Sequence, residues 1–410
     1  MNLESGEYFV GGIPILSICK EFGTPLYLYE GERLLSQCKK LQVAFKSMNV
    51  KWRYALKACS NLSIIKLLRT ADMGLDAVSI QEVNLGLLAG VPAKDIIFTP
   101  SCVAFDEIKE GVDAGVVVNI DSLSLLEKFG SYYGENGYCS IRFNPNIVAG
   151  GNAKIQVGHK HSKFGVPLVQ LPEVKALVDK YKIKIIGVHV HTGSDILDIE
   201  SFVESARVLF EIGVGFSDLQ FIDFGSGFKV SYYDTDKSTD IDTLSTRLEA
   251  DYRDFVRRYG RDVEIWFEPG KFIASAAGIL LVNVNVVKPT PEVNFVGVNS
   301  GLNHLIRPMM YGSYHDIVNI SNPSSERRKY TVVGNICETD TFGADRMLSE
   351  VREGDVLAIK NAGAYGFSMS SQYNSRYRPA EVLVYKNQAK LIRKREDFSD
   401  LLRNQIDVPL

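Results

Sequence analysis

The sequence predicts a (β/α)8 barrel followed by a mostly β second domain, on three observations. Eight short apolar stretches alternate with helical ones over about 220 residues, the arithmetic of a parallel barrel. Past Gly270 the helical periodicity fades and β-branched alternation takes over, beginning with Ile279–Val287. No strand is followed by Gly-x-Gly-x-x-Gly: Gly225-Ser226-Gly227 lacks the third glycine, which disfavours a doubly wound dinucleotide fold. A length of 410 residues suits two domains, a barrel over 31–275 and a β-rich domain made of 1–30 with 276–410.

Taken in order, residues 25–30 (Pro-Leu-Tyr-Leu-Tyr-Glu) read as a strand and 31–47 as an amphipathic helix. The barrel strands are expected near 51–57, 74–79, 95–100, 116–121, 138–144, 184–191, 219–225 and 263–268. Further strands are expected near 293–299, 330–334, 355–360 and 381–386, with loops at 145–165 and 231–241. Apolar residues make up 45% and charged residues 23%, and the net charge is −3, so neither nucleic acid nor membrane is an expected partner. Cysteines 19, 38, 59, 102, 139 and 337 show no CxxC spacing, and the first residues show no signal-peptide pattern. A reduced, cytoplasmic protein is the expectation.

Chemistry in a barrel gathers at the C-terminal ends of its strands. Strand one ends at Lys57, strand two at Asp76 and Ser79, and strand five at Arg142 and Asn144. Strand six ends in His189-Val190-His191-Thr192-Gly193-Ser194, strand seven in Asp223-Phe224-Gly225-Ser226-Gly227, and strand eight in Glu268-Pro269-Gly270. Solvation of strand ends needs far less polarity than this. Lys57 is either an edge charge or a Schiff-base nucleophile at the mouth. The glycines after strand seven suit a phosphate cradle or a tight turn, and Ser194 a phosphate donor or a helix cap. Ser79 with Glu82 reads first as a capping box. His189 and His191 share a strand face, which suits zinc, but no further ligand recurs at metal spacing, so no metal is expected. Glu268, after apolar Ile265-Trp266-Phe267, needs a cationic partner, and a protonated pyridine nitrogen would be one.

Lysine, phosphate cradle, flat-stacking histidine and buried glutamate together describe a pyridoxal-phosphate site. The chain also resembles the fold-type III, alanine-racemase-like decarboxylases, and most closely their diaminopimelate decarboxylases, over about residues 10–390. Three motifs in the barrel carry the likeness: Tyr54-Ala55-Leu56-Lys57-Ala58, His191-Thr192-Gly193-Ser194 and Glu268-Pro269-Gly270-Lys271. Three more follow: Leu305-Ile306-Arg307-Pro308, Cys337-Glu338-Thr339 and Gly363-Ala364-Tyr365-Gly366-Phe367-Ser368-Met369. The resemblance implies pyridoxal 5'-phosphate bound to Lys57, stacked on His191, held at its ring nitrogen by Glu268 and at its phosphate by Ser194, Gly227 and Tyr365. Arg142 and Lys163 would stand near the phosphate side. Arg307, Tyr311 and Lys271, with Glu338 and Tyr365, would read the substrate, and Cys337 would reach the reacting centre from the second subunit of a homodimer.

The implied reaction is decarboxylation of meso-2,6-diaminopimelate to L-lysine, the last step of lysine biosynthesis. Rivals are the same chemistry on carboxynorspermidine, arginine or a D-amino acid, a metal-dependent barrel hydrolase using His189 and His191, or a catalytically silent paralogue. Three positions depart from the family pattern: Lys271 replaces an arginine, Cys59 an asparagine, and Ser226 interrupts a glycine run.

Overall fold

The computed structural model describes residues 1–146, 159, 161–191 and 193–410. The chain forms two compact units, one of residues 37–230 with 237–272 and one of residues 1–36, 231–236 and 273–410.

The first unit is a closed eight-stranded parallel barrel. Its strands are β1 (Val50–Ala55), β2 (Gly74–Ala77), β3 (Ile96–Phe98), β4 (Val117–Ile120), β5 (Tyr138–Asn144), β6 (Lys184–Val190), β7 (Phe221–Asp223) and β8 (Glu264–Phe267). They pair in sequence, β8 returns to β1 through Ile265↔Val50, and β4 meets β5 through Asn119↔Ser140. The short strand Val166–Pro167 adds to β5. Helices follow the strands and start where side chains absorb their free N–H groups: Asn61, Ser79, Ser122, Asp198 and Asp240 each accept a backbone N–H at a helix start. At Ser79 the hydroxyl takes the Glu82 N–H and the Glu82 carboxylate reaches back to Val78 N, so this serine caps.

Alternation along the strands builds two layers inside the barrel. The lower is apolar and flat: Phe221 stacks on Trp266 at 3.6 Å, Arg53 lies over Trp266 at 4.1 Å, and Ile97 and Ile186 pack against them. Phe267, one residue on, points outward onto Phe45, Phe202 and Phe228. The next inward residues are polar: Asp76, Asn119, Ser140, Arg142, His189, Asp223 and Glu268, all buried. A dry floor under a charged rim gives one open end with the polarity of a site.

In the second unit, strand Gly278–Pro289 organises a large sheet. It pairs antiparallel with Leu26–Glu30, Asn294–Val298 and Val356–Ile359. Leu26–Glu30 in turn runs parallel to Ala380–Tyr385, which turns back into Gln388–Arg393. Arg327–Val333 and Thr341–Ser349 complete the other edge, and Ile317–Asn319 pairs with Val356–Ile359. Asn2–Glu4, Glu7–Val10 and Ile13–Pro14 form a small separate sheet. The sequence pattern missed Ile317–Asn319, which is short, Gln388–Arg393, which is largely exposed, and Thr341–Ser349, whose burial does not alternate. Of the loop expected at 145–165, residues 147–158 and 160 lie outside the described residues.

Candidate active site

Lys57, expected as the last residue of strand one, stands two residues past the observed strand end. β1 stops at Ala55, and Lys57 lies in the 3-10 turn Leu56–Ala58, which presents its amine to the mouth. Its Nζ donates to Asp76 Oδ2 at 2.7 Å, the lysine side chain 37% exposed and the aspartate fully buried. Burial pushes the Asp76 carboxyl up, Glu268 adds repulsion, and the Lys57 ammonium opposes both.

Two more acids close the group. Asp223 Oδ1 accepts Gly225 N–H at 2.8 Å, and Glu268 Oε2 lies 3.3 Å from His189 Nε2. Burial raises Asp223 well above the ordinary carboxylate range, with Glu268 adding to it, and raises Glu268 against the pull of Lys57 and Arg142. Asp223 and Glu268 are close enough to hydrogen-bond when one carries a proton. Burial and the Arg142 charge hold both His189 and His191 well below ordinary histidine, so both rings are neutral. Three acids thus face the cations Lys57 and Arg142, with Arg53 acting on Asp223 from the layer below. Among the described residues, Glu268 Oε1, Asp223 Oδ2 and Asp76 Oδ1 meet no donor. A flat cationic ring nitrogen would satisfy a carboxylate stranded this way.

The histidine pair separates. His189 is inside with Glu268 and Asp223, its donor atom within 4.8 Å of theirs, whereas His191 follows the end of β6 and its Nδ1 accepts Ser226 N–H at 3.3 Å. His-x-His therefore does not act as one ligand pair. The buried trio has metal-like spacing, but it lies beside Lys57 and Arg142, whose charges work against a divalent cation.

The loops after β6 and β7 lock together at their glycines. Ile196 N donates to Gly227 O at 2.8 Å. A Cβ on Gly227 (φ 109°) would meet Gly193 O at 2.4 Å, and one on Gly225 (φ 61°) would meet His191 Nδ1 at 2.6 Å. Only backbone fits there, beside Ser194, and such a cradle suits a phosphate. Lys271, after Glu268, is 7% exposed and donates to both oxygens of Asp195 at 2.9 and 2.8 Å. Arg142 lies 4.6 Å from the Phe164 ring and Lys163 4.9 Å from it, on its way to solvent. Cys59, where the family pattern has asparagine, is buried. The barrel residues present fit pyridoxal phosphate in amine, carboxylate and cradle.

In the second unit the expected residues fall into two groups. Arg307 is buried, its Nη2 3.2 Å from both Tyr232 Oη and Ser313 Oγ, with the rings of Tyr311 and Tyr365 at 5.7 and 5.8 Å. Arg307, Tyr311 and Tyr365 are therefore one cluster. Cys337 and Glu338 form another, on the surface with Tyr373 and Asn374. Tyr373 Oη donates to Glu338, which holds that carboxyl below its ordinary value. Asn374 brackets Cys337, accepting its N–H at 3.1 Å and donating to Sγ at 3.3 Å. Sequence reasoning gave no role to Asp76, Asp223, Asp195, Tyr373 or Asn374. The two strand-end acids carried a signal in their position; the other three carried none.

Comparison with known proteins extends the likeness to the whole chain. Residues 32–275 match the pyridoxal-dependent decarboxylase, pyridoxal binding domain family. The chain is 40% identical to the diaminopimelate decarboxylase of Methanothermobacter thermautotrophicus, covering 98% of this chain and 96% of that protein. The crystal structure of the M. jannaschii diaminopimelate decarboxylase in co-complex with L-lysine superposes with a TM-score of 0.91 at 32% identity, covering 100% of this chain and 98% of the other. The Helicobacter pylori enzyme complexed with L-lysine gives 0.87 at 34% identity, over 95% of this chain and 98% of that one.

Proposed function

Since this chain belongs to the pyridoxal-dependent decarboxylases, and within them to the diaminopimelate decarboxylases, we propose that it removes CO2 from the D-configured centre of meso-2,6-diaminopimelate and releases L-lysine. The observation that carries this reading is the full-length match, second unit included, to relatives of that one activity.

Bound pyridoxal phosphate supplies the sink for the electron pair left on Cα as CO2 departs. The chain's own residues do the rest. Asp76 keeps the Lys57 amine at the mouth, where it would anchor the cofactor and move protons at the substrate Cα. Glu268, whose Oε1 meets no donor among the described residues, would accept the hydrogen bond of a protonated ring nitrogen, and the neutral His191 would face the ring. Ser194, Gly227 and Tyr365 would hold the phosphate, as the resemblance implies. Arg307, Tyr311 and Glu338, with Tyr365 as the resemblance implies, would read a substrate end that carries both a carboxylate and an amine, whereas Lys271, which the resemblance also assigns to the substrate, is bound to Asp195 instead. That pairing suits a second amino-acid centre better than a plain amine.

We propose 31–275 as the cofactor domain and 1–30 with 276–410 as a β-rich domain that carries the substrate-reading residues. We further propose a homodimer in which Cys337 of a second copy of the chain serves each site. No described helix is long and apolar enough to cross a membrane, and all six cysteines are free, which suits the reducing cytoplasm.

The first test is a visible spectrum of the purified protein before and after meso-diaminopimelate. A cofactor band that is missing in Lys57→Ala, with CO2 and lysine formed by the wild type, is expected. A band with no lysine formed would overturn the substrate, and no band after cofactor is supplied would overturn the chemistry. The dimer has its own test. Co-refolding inactive Lys57→Ala with inactive Cys337→Ala should restore about a quarter of wild-type turnover if sites are shared, by random assortment of two subunits. No restoration would refute sharing.

A further inference from the structure

Lys271 occupies the place where the family pattern has an arginine, and the expectation was a point-charge contact to substrate. Its geometry says something else. Both oxygens of Asp195 lie within 2.9 Å of Nζ, and the lysine is nearly buried. Asp195 itself has φ 62°, a left-handed conformation that is strained for a non-glycine residue and persists only when its surroundings fix it. It follows Ser194 directly and precedes Ile196, whose N–H bonds Gly227 O and whose carbonyl takes the Thr239 hydroxyl at 2.6 Å. The pair therefore ties the end of β8 to the loop after β6, at the edge of the glycine cradle.

We propose that Lys271 and Asp195 act as a positioning pair for phosphate, with Lys271 cancelling the Asp195 charge and pinning the Ser194 loop against Gly227. Two consequences separate this from a substrate contact. An unpaired carboxylate one residue from Ser194 would repel a phosphate dianion, so removing Lys271 alone harms anion binding. Removing both charges restores the electrostatics, so the two substitutions are strongly non-additive. Arginine would serve equally to neutralise Asp195, and the aspartate is the residue that makes a cation necessary here. The proposal rests on the barrel mouth being the cofactor site.

The experiment is a double-mutant cycle on the full-length protein: Lys271→Met, Asp195→Asn and the pair together. Affinity of the apoprotein for pyridoxal 5'-phosphate is read by absorbance titration, and KM for diaminopimelate at saturating cofactor. Lys271→Met is expected to weaken cofactor binding about tenfold or more, as loss of a close charge partner does. The double variant should recover most of that loss, Asp195→Asn alone should stay within about threefold, and KM should move little. A double variant as weak as Lys271→Met, or a Lys271→Met defect confined to KM, would overturn the pair. If Lys271→Met does not fold, Asp195→Asn carries the decision, since a tenfold loss there would equally overturn it. Failure of the wild type to bind the cofactor would instead refute the function, so the two failures are distinguishable.

Discussion

Replacing Asp223 by asparagine tests the charge state of the buried acids directly. Asp223 faces Glu268 on β8, Asp76 on β2, His189 on β6, Arg53 on β1 and Arg142 on β5. Asparagine keeps an Oδ1 for the Gly225 N–H and offers a donor where Asp223 must otherwise carry a proton. The folded carboxyl sits well above its unfolded value, mainly through burial. A group raised in this way stabilises fully below the unfolded pKa, about 3.9, and that contribution is lost as pH rises through the folded one. Asparagine has no such proton to lose. The stability of the variant relative to wild type should therefore climb by about 1.4 kcal/mol per pH unit until the folded carboxyl ionises, then level off. Urea unfolding of the apoprotein between about pH 5 and 8 reads this as a growing difference in midpoint. A variant less stable than wild type by one constant amount would refute the reasoning, because Asp223 would then be an ionised partner throughout.

Three further outcomes are expected. His304, buried between Ser300 Oγ and the Tyr377 carbonyl, is lowered to about 4, so its stabilising contribution disappears as pH falls from about 6.5 through that value. In the limit this is on the order of 3 kcal/mol, and His304→Gln should remove that acid sensitivity from thermal melts. Asn374→Asp keeps an acceptor for Cys337 N–H but loses the donor to Sγ and sets a charge beside it; kcat should drop about tenfold with KM little changed, and an unchanged kcat would remove Asn374 from the machinery. Arg307→Lys keeps the charge but loses the planar fork and its fit between two rings, so KM for diaminopimelate should rise about tenfold to a hundredfold.

The barrel was legible because a strand buried on both faces must be a nearly continuous apolar run, and Ile96–Phe98 and Ile265–Phe267 are such runs. Strand ends were less legible. Leu56 extends the apolar pattern of β1 beyond its last ladder partner, so Lys57 read as strand although it sits on a turn. In the β-rich unit, Gln388–Arg393 went unseen because an edge strand with Lys390 and Arg393 outward shows little alternation. Within the mouth, each acid could be placed at a strand end, but their crowding could not. Asp76 and Glu268 belong to strands separated by β1, and Asp223 to a third, so only closure of the barrel brings them together. The Lys271–Asp195 pair was hidden for the same reason: two charges 76 positions apart become partners only across three strand ends.

Leu26–Glu30 lies between Gly278–Pro289 and Ala380–Tyr385, partners encoded roughly 250 and 350 residues later, which makes the closing contacts of this sheet among the most non-local in the chain. On the ribosome, that strand must wait while the whole barrel is translated. Its alternating tyrosines and leucines have no ladder partner until Gly278–Pro289 emerges and lack the second until Ala380–Tyr385 does, the condition under which nascent chains engage chaperones or aggregate. A chain terminated before Ala380 would keep every barrel strand and still leave this strand with one flank open, so premature termination near the 3' end of the message should yield insoluble product rather than a weakened enzyme.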